Sequence, residues 1–149
     1  MRGAEPFDPH KLSRYTVIRV RYAYSGQPSE EKLFIVLNHE KQNGQTFCWC
    51  LKATSQVQNY AGKKDVLDAC VIYDPKELEF FPLATVIDPN NPIPMLHSTL
   101  ATAARRGEYR IEGKMPSDFH EKIVEAIRSH PVIEPKNKKI LLEAIGESL

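Results

Sequence analysis

The chain has 149 residues, a length typical of one domain with a core of its own. Its formal net charge is only +1, so any nucleic-acid site has to be a local patch rather than a property of the whole surface. Three cysteines do not form a disulfide framework, and no segment resembles a signal peptide or a membrane span of roughly 20 apolar residues, so we expect a soluble cytoplasmic protein without membrane contact.

The chain begins with an arm and a first strand. Residues 1–14 combine prolines with mixed charge and are expected to form an N-terminal arm. The stretch YTVIRVRYAY, residues 15–24, alternates apolar and polar side chains, which predicts a half-buried strand. Arg19 and Arg21 lie on its polar face, and the polar loop SGQPSEE follows.

A hairpin is the clearest element of the sequence. The segments KLFIVLNHE and TFCWCLKATS predict two strands, and Asn43-Gly44 between them favours a type I′ turn because both residues tolerate a positive φ. Counting equally from this turn, Leu37 faces Cys50 and Lys32 faces Ser55. The polar ends of the strands then meet far from the turn, unless a bulge shifts the register by one residue.

The second half of the chain is mainly helical. ACVIY and FPLATVID predict short strands, and PNNPIP predicts a proline-rich break. MLHSTLATAARRG predicts a helix ended by Gly107, PSDFHEKIVEAIRSHP a helix capped by Ser117 or Asp118, and PKNKKILLEAIGESL a last helix with Pro135 in its first turn. Strands followed by helices indicate an α+β fold, with helices packed on a small, mostly antiparallel sheet or barrel.

The cysteine pair Cys48-x-Cys50 raises the question of a metal site. Both side chains point to one face of the predicted strand. A structural zinc site commonly needs four ligands, and the candidates to complete one are Cys70, His39 and His97. None of them belongs to a zinc knuckle, so we expect the pair to pack in the core and we expect no metal and no cofactor.

Histidine and acidic residues do not form a recognisable catalytic motif. No HExxH motif, P-loop or dinucleotide-binding glycine pattern is present. His120 and His130 lie on a predicted surface helix and near its end, where solvated or dipole-related roles are expected.

The basic residues near the hairpin offer a more specific hypothesis. Lys32 and Lys52 lie at the open end of the hairpin, close in sequence to Thr54 and Ser55. Solvated surface charge explains most basic residues. A cation beside hydroxyl groups can also stabilise a phosphate or a pentacovalent transition state.

The order of elements resembles the PemK/MazF-like toxins, the small-barrel ribonucleases of toxin–antitoxin pairs. The resemblance rests on EEKLFIVLN, where a basic residue precedes an apolar strand, and on CLKATS, where a strand ends in a Thr-Ser motif. ACVIY, LHSTLATAARRGEYRI and PSDFHEKIVEAI continue the same order. It implies an SH3-like β-barrel over residues 15–130, with residues 131–149 as a C-terminal helical extension.

The resemblance also implies a function. Members of this family cleave single-stranded RNA without metal, by attack of the 2′-hydroxyl on the adjacent phosphate, and are controlled by an antitoxin protein. By position, the catalytic residues are Lys32, Thr54 and Ser55, and a homodimer is implied by analogy. The candidate RNA-binding residues are Arg19, Arg21 and Lys52.

Lys32 departs from the family pattern, which has an arginine at this position. Lysine is a point charge, whereas arginine holds a phosphate with two parallel hydrogen bonds. A lysine could stabilise charge or, with a lowered pKa, protonate the leaving oxygen. Enzymatic activity is therefore open, and the alternative is a non-catalytic small-barrel module that binds nucleic acid or a protein partner. A zinc-stabilised domain is a third hypothesis.

Overall fold

The computed structural model describes residues 5–23 and 28–147, and within them the backbone divides into two compact units. The first unit comprises the described parts of Met1–Lys52 together with Ile93–Met115, and the second comprises Ala53–Pro92 and the described residues from Pro116 onward. Our expectations for residues 1–4, 24–27 and 148–149 lie outside the described residues. The domain boundaries expected after residues 14 and 130 stay predictions.

Seven strands and four α-helices are present in the described chain. They are β1 (Thr16–Tyr22), β2 (Glu30–Gln42), β3 (Gln45–Thr54), α1 (Lys64–Leu67), β4 (Val71–Tyr73), β5 (Thr85–Ile87), β6 (Ile93–Leu96), α2 (His97–Arg105), β7 (Tyr109–Lys114), α3 (Phe119–Ser129) and α4 (Pro135–Ala144). Short 3₁₀ turns cover Pro9–Lys11 and Val57–Tyr60. Among the described residues, no helix combines the length and apolar character that crossing a membrane requires.

The first unit is an antiparallel sheet with one helix against it. Its strands follow the order β6-β3-β2-β1-β7, and α2 contacts β1, β6 and β7. One core cluster fills the space between them, with Ile18, Phe34 and Leu100 fully buried. Because Ile18 lies opposite Phe34 and Val20 lies opposite Lys32, this core face of the sheet continues directly to Lys32.

The second unit places two helices against a small sheet. The last residues of β3, Ala53 and Thr54, pair with β5, and β5 pairs with β4. Helix α3 packs on β4 and on α4, and its predicted apolar face of Phe119, Ile123 and Ile127 is buried. The expected fold class is confirmed: an α+β protein with a mostly antiparallel sheet and C-terminal helices packed on it.

Helix ends largely follow their sequence signals. Gly107 follows α2 with φ +71°, and Pro135 occupies the first turn of α4, both as predicted. Asp118 precedes α3, but its carboxylate pairs with Lys122 and makes no hydrogen bond to the helix N-terminus.

The proline-rich break contains a strand that the sequence did not reveal. The prediction of a break over PNNPIP is wrong at its end, because β6 starts at Ile93 and includes Pro94. Pro94 lies opposite Trp49 in the pairing of β6 with β3. Proline is compatible with a strand at the edge of a sheet, where its missing N–H is not needed by a neighbour.

The predicted turn between β2 and β3 is confirmed. Strand β2 ends at Gln42 and β3 begins at Gln45, so the loop contains only Asn43 and Gly44. Their φ angles are +53° and +77°, as a type I′ turn requires.

The predicted register does not hold along the whole hairpin. Phe34 and Val36 of β2 share a core cluster with Cys48 and Cys50 of β3. An uninterrupted ladder from the turn would put Val36 and Cys50 on opposite faces, so the ladder is shifted by one residue, as a bulge does. The facing pair Leu37–Cys50 is therefore wrong. All four residues from Phe34 to Leu37 are buried, so burial gave no alternation from which to read the register.

Gly44→Ala should destabilise the chain by about 1–2 kcal/mol, because a Cβ is strained at positive φ. Apart from Gly44 and the two residues adjacent to it in the chain, no atom lies within 4 Å of the position that a Cβ would take, so the local backbone accounts for the cost. Chemical denaturation measures the change. Gly44→Asn is the matched control and should cost clearly less, since asparagine tolerates this conformation; equal losses for both variants would contradict the explanation.

Candidate functional site

Two lysines of the first unit form the centre of the candidate site. Lys32 lies on β2 and Lys52 lies on β3, and the shifted register places their side chains on the same face of the sheet. The Lys32 side chain is only 15% exposed, and its ammonium donates to Glu30 Oε2 at 3.3 Å. Lys52 is half-buried. Two cations are thus held side by side where water is partly excluded.

The environment changes the acidity of Lys52. Burial removes water from its ammonium and lowers the pKa, and the neighbouring charge of Lys32 lowers it further. The carboxylate of Glu30 opposes the effect in part. The neutral amine of Lys52 is therefore more populated at a given pH than that of an exposed lysine, while a bound anion would relieve the repulsion between the two cations.

Thr54 and Ser55 follow Lys52 along the chain and belong to the second unit. Thr54 is the last residue of β3, is half-buried, and lies opposite Val86. Its Oγ1 accepts the backbone N–H of Gln56 at 3.1 Å. Ser55 is exposed immediately after the strand. The catalytic roles expected for both hydroxyls stay predictions.

Arg19 is engaged in an ion cluster on the other face of the sheet. Its Nε donates to Glu112 Oε1 at 2.7 Å, and Arg110 donates to the same oxygen. Partial burial opposes ionisation of Glu112, but the hydrogen bonds and charges of the two arginines outweigh it and lower the pKa. Since Val20 shares the face of Lys32, Arg19 lies on the opposite side.

Arg21 lines a groove that is separate from the lysine pair. The groove has a volume of about 290 Å³. Its lining residues are Arg21, Ser98, Thr99, Thr102, Ala103, Arg106 and Glu108. Arg21 donates to the carbonyl oxygen of Ser29 at 3.3 Å. The sequence carried a signal for this groove: Ser98, Thr102 and Arg106 are spaced by four residues, which aligns them on one face of a helix.

The cysteine pair packs in the core, as expected. Cys48 and Cys50 are fully buried and their sulfur atoms lie 3.7 Å apart. Two of the residues considered as further zinc ligands bind each other: His39 Nδ1 lies 2.8 Å from His97 Nε2, and His39 Nε2 lies 2.6 Å from the carbonyl oxygen of Leu12. Because a carbonyl only accepts, His39 donates from Nε2 and its Nδ1 accepts from His97 in the neutral pair.

Of the solvated or dipole-related roles expected for His130, the solvated role is wrong, and the residue does lie at the C-cap of α3. Its imidazole is buried, and Nε2 lies 2.9 Å from Asp88 Oδ1. His120 bonds Glu147 at 2.6 Å and is half-exposed. The sequence placed His130 just beyond a helix end but gave no indication that Asp88 would reach it.

Comparisons with models of protein families, with curated proteins and with solved structures found no match to this chain.

Removing the Lys32 ammonium should raise the pKa of Lys52. We expect Lys32→Ala to move the pKa of Lys52 toward the ordinary lysine value, because one of its two main perturbing influences is lost. NMR titration of lysine side-chain resonances measures this pKa. Lys41→Ala, which removes an exposed lysine of the same strand, is the control and should leave it unchanged.

The same shift has a consequence for stability. The unfolded chain binds more protons than the folded chain between the lowered pKa of Lys52 and the ordinary value of 10.5, so the free energy of unfolding should rise with pH in that window. The Lys32→Ala variant should show a smaller rise. An unchanged pKa and an unchanged rise would contradict the pairing of the two lysines.

Proposed function

We propose that this chain is a toxin-like endoribonuclease that cleaves single-stranded RNA without metal at the pair Lys32 and Lys52. The observation that carries the proposal is this pair: two partly buried cations on one sheet face, one of them with a lowered pKa. The phosphate of RNA gains negative charge in the transition state of cleavage. A preformed pair of cations therefore stabilises that transition state.

The chemistry assigns a different task to each lysine. The 2′-hydroxyl attacks the adjacent phosphorus, the bond from phosphorus to the 5′ oxygen breaks, and a cyclic phosphate and a 5′-hydroxyl result. The neutral amine of Lys52 accepts the proton of the 2′-hydroxyl. The ammonium of Lys32 stabilises the charge of the pentacovalent transition state and returns a proton to the leaving oxygen. Lys52 thus gains one proton and Lys32 loses one, and proton exchange with solvent restores both side chains after the step.

A lysine at position 32, where the resembling family has an arginine, is consistent with these two roles. An arginine remains protonated and could not exchange a proton near neutral pH. The lowered pKa of Lys52 favours its role as the base, and the ammonium of Lys32 beside it serves as the acid. The proposal extends to an antitoxin protein and a homodimer, for which the resemblance of the sequence is the support.

A second function is supported by the groove at Arg21. Its two arginines and three hydroxyl side chains are suited to phosphate oxygens, and none of these residues belongs to the lysine pair. A chain that uses this groove alone would bind single-stranded nucleic acid without cutting it. The two functions predict different behaviour of the variants below.

Cleavage is tested by incubating the full chain with a mixed-sequence RNA in EDTA. We expect discrete fragments, and a loss of rate of about 100-fold or more in Lys32→Ala and in Lys52→Ala, the range of acid–base catalysis. Lys41→Ala is the matched control and should cleave normally. Intact RNA with the unmodified chain would reject the enzymatic function, and equal rates in all variants would reject the lysine site.

Binding is tested separately with the same RNA over a range of salt concentrations. Arg106→Ala should weaken binding and reduce the slope of log affinity against log salt by about 1, since one phosphate contact is lost. Lys63→Ala, an exposed lysine of the second unit, removes the same charge and should leave the slope unchanged. Salt-dependent binding without any cleavage would favour the non-catalytic function.

A further inference from the structure

Three metal-ligating side chains of different types meet in the second unit. Cys70 follows α1, Asp88 follows β5 and His130 follows α3, and one ligand atom from each lies within 4.8 Å of the others. His130 is buried, and the other two are half-buried. The cluster shares no residue with the lysine pair or with the groove at Arg21.

Hydrogen bonds orient the Asp88 carboxylate and the His130 imidazole. Asp88 Oδ1 lies 2.9 Å from His130 Nε2, and Asp88 Oδ2 accepts the hydroxyl of Tyr60 at 3.2 Å. His130 Nδ1 accepts the backbone N–H of Val132 at 3.2 Å, so Nε2 carries the proton and donates to Asp88. These contacts fix the position of the His130 ring, but a metal ion on Nε2 would require Nδ1 to carry the proton and to give up the bond from Val132.

The cluster combines a carboxylate, a thiol and an imidazole. A divalent cation would stabilise the carboxylate of Asp88 and a thiolate of Cys70 together.

The cluster also has a route to solvent. Cys70 lines an open groove of about 410 Å³, which also contains the acidic side chains Asp68, Glu121 and Glu125. One lysine, Lys122, lines the same groove and pairs with Asp118. The carboxylates outnumber this ammonium, so the groove favours cations over anions. Of the three proposed ligands, Cys70 is the one that lines this groove, and its Sγ donates to the carbonyl oxygen of Val66 at 3.2 Å.

We propose that Cys70, Asp88 and His130 bind a zinc ion. Sulfur, imidazole nitrogen and carboxylate oxygen are the three ligand types that Zn²⁺ uses in proteins. Three protein ligands leave a fourth tetrahedral position for a water molecule from the groove. Tetrahedral ligand atoms lie about 3.3–3.6 Å apart, so Asp88 and His130 need to separate by only a few tenths of an ångström from their present contact.

Zinc binding changes the protonation of the site in a defined way. The thiol proton of Cys70 is released to solvent when the Zn–S bond forms. The proton of His130 leaves Nε2 as that nitrogen binds zinc and appears on Nδ1, so the backbone N–H of Val132 loses its acceptor. Asp88 exchanges its bond to His130 for the metal and keeps its bond from Tyr60.

Metal binding is tested on the full chain after treatment with a chelator. Titration with Zn²⁺, followed by removal of excess metal and elemental analysis, should give one zinc per chain. With Co²⁺ in its place, we expect the near-ultraviolet sulfur-to-cobalt band and the visible bands of tetrahedral cobalt. No retained metal, or cobalt spectra of an octahedral site without sulfur, would overturn the proposal.

Variants identify the ligands. Cys70→Ser should remove the sulfur-to-cobalt band and lower zinc affinity by about 10-fold or more, and Tyr60→Phe should lower affinity by about 10-fold while the band remains. Cys48→Ala removes a core thiol of the first unit and should change neither result. A band that persists in Cys70→Ser, or one that disappears in Cys48→Ala, would contradict the assignment.

An NMR measurement on the unmodified chain tests the proposal even if a variant does not fold. In the unmodified chain, the amide resonance of Val132 should move on zinc addition, whereas amides of the β2–β3 turn should not. An unchanged Val132 resonance at saturating zinc would overturn the role of His130. RNA cleavage is measured in EDTA, so failure of zinc binding and failure of the ribonuclease proposal are independent results.

Discussion

The juxtaposition of Lys32 and Lys52 depends on a shift of one residue in the β2–β3 hairpin. With an uninterrupted register, their side chains would lie on opposite faces of the sheet, where neither would perturb the other. With the shift, the two ammonium groups share a partly buried environment and the pKa of Lys52 falls. Repulsion between the two ammonium groups destabilises the folded chain, and an anion bound between them would offset this cost by its attraction to both.

The two units differ in the kinds of charged side chain that they bring together. In the first unit, two like cations are held together, which prepares a surface for an anion. In the second unit, a carboxylate, a thiol and an imidazole lie together at Asp88, Cys70 and His130, a combination of ligand types suited to a cation. A hydrogen-bonded neighbour orients a charged group in each unit. Glu30 accepts from the Lys32 ammonium, and Tyr60 donates to the Asp88 carboxylate. Ionisable groups whose surroundings perturb their pKa values are typical of functional sites.

The sequence contained enough information for the fold class and for most helices. The Asn43-Gly44 turn, the apolar face of α3 and the glycine after α2 are local signals, and local physics decides them. The register of the hairpin is not local: Phe34–Leu37 is buried on both faces, so neither face could be recognised as the outer one. Strand β6 was missed because proline obscures a strand that an edge position tolerates.

The candidate site was predictable only in part. Lys32 and Lys52 were recognised as neighbours of the hairpin end, but their common face required the shifted register. Arg19 was expected to contact RNA, and nothing in the sequence indicated that Glu112, far along the chain, would hold it. The burial of His130 against Asp88 was missed for the same reason, since the two residues lie 42 positions apart. Contacts between distant segments are thus the part that single-sequence patterns do not supply.

The chemical ends of the RNA fragments test the central claim most directly. Mass spectrometry of fragments produced by the full chain in a chelating buffer distinguishes attack by the 2′-hydroxyl from attack by water. The lysine-pair mechanism predicts a 2′,3′-cyclic phosphate on one side of each cut and a 5′-hydroxyl on the other. Fragments that carry a 5′-phosphate and a 3′-hydroxyl, or RNA that remains intact, would contradict it.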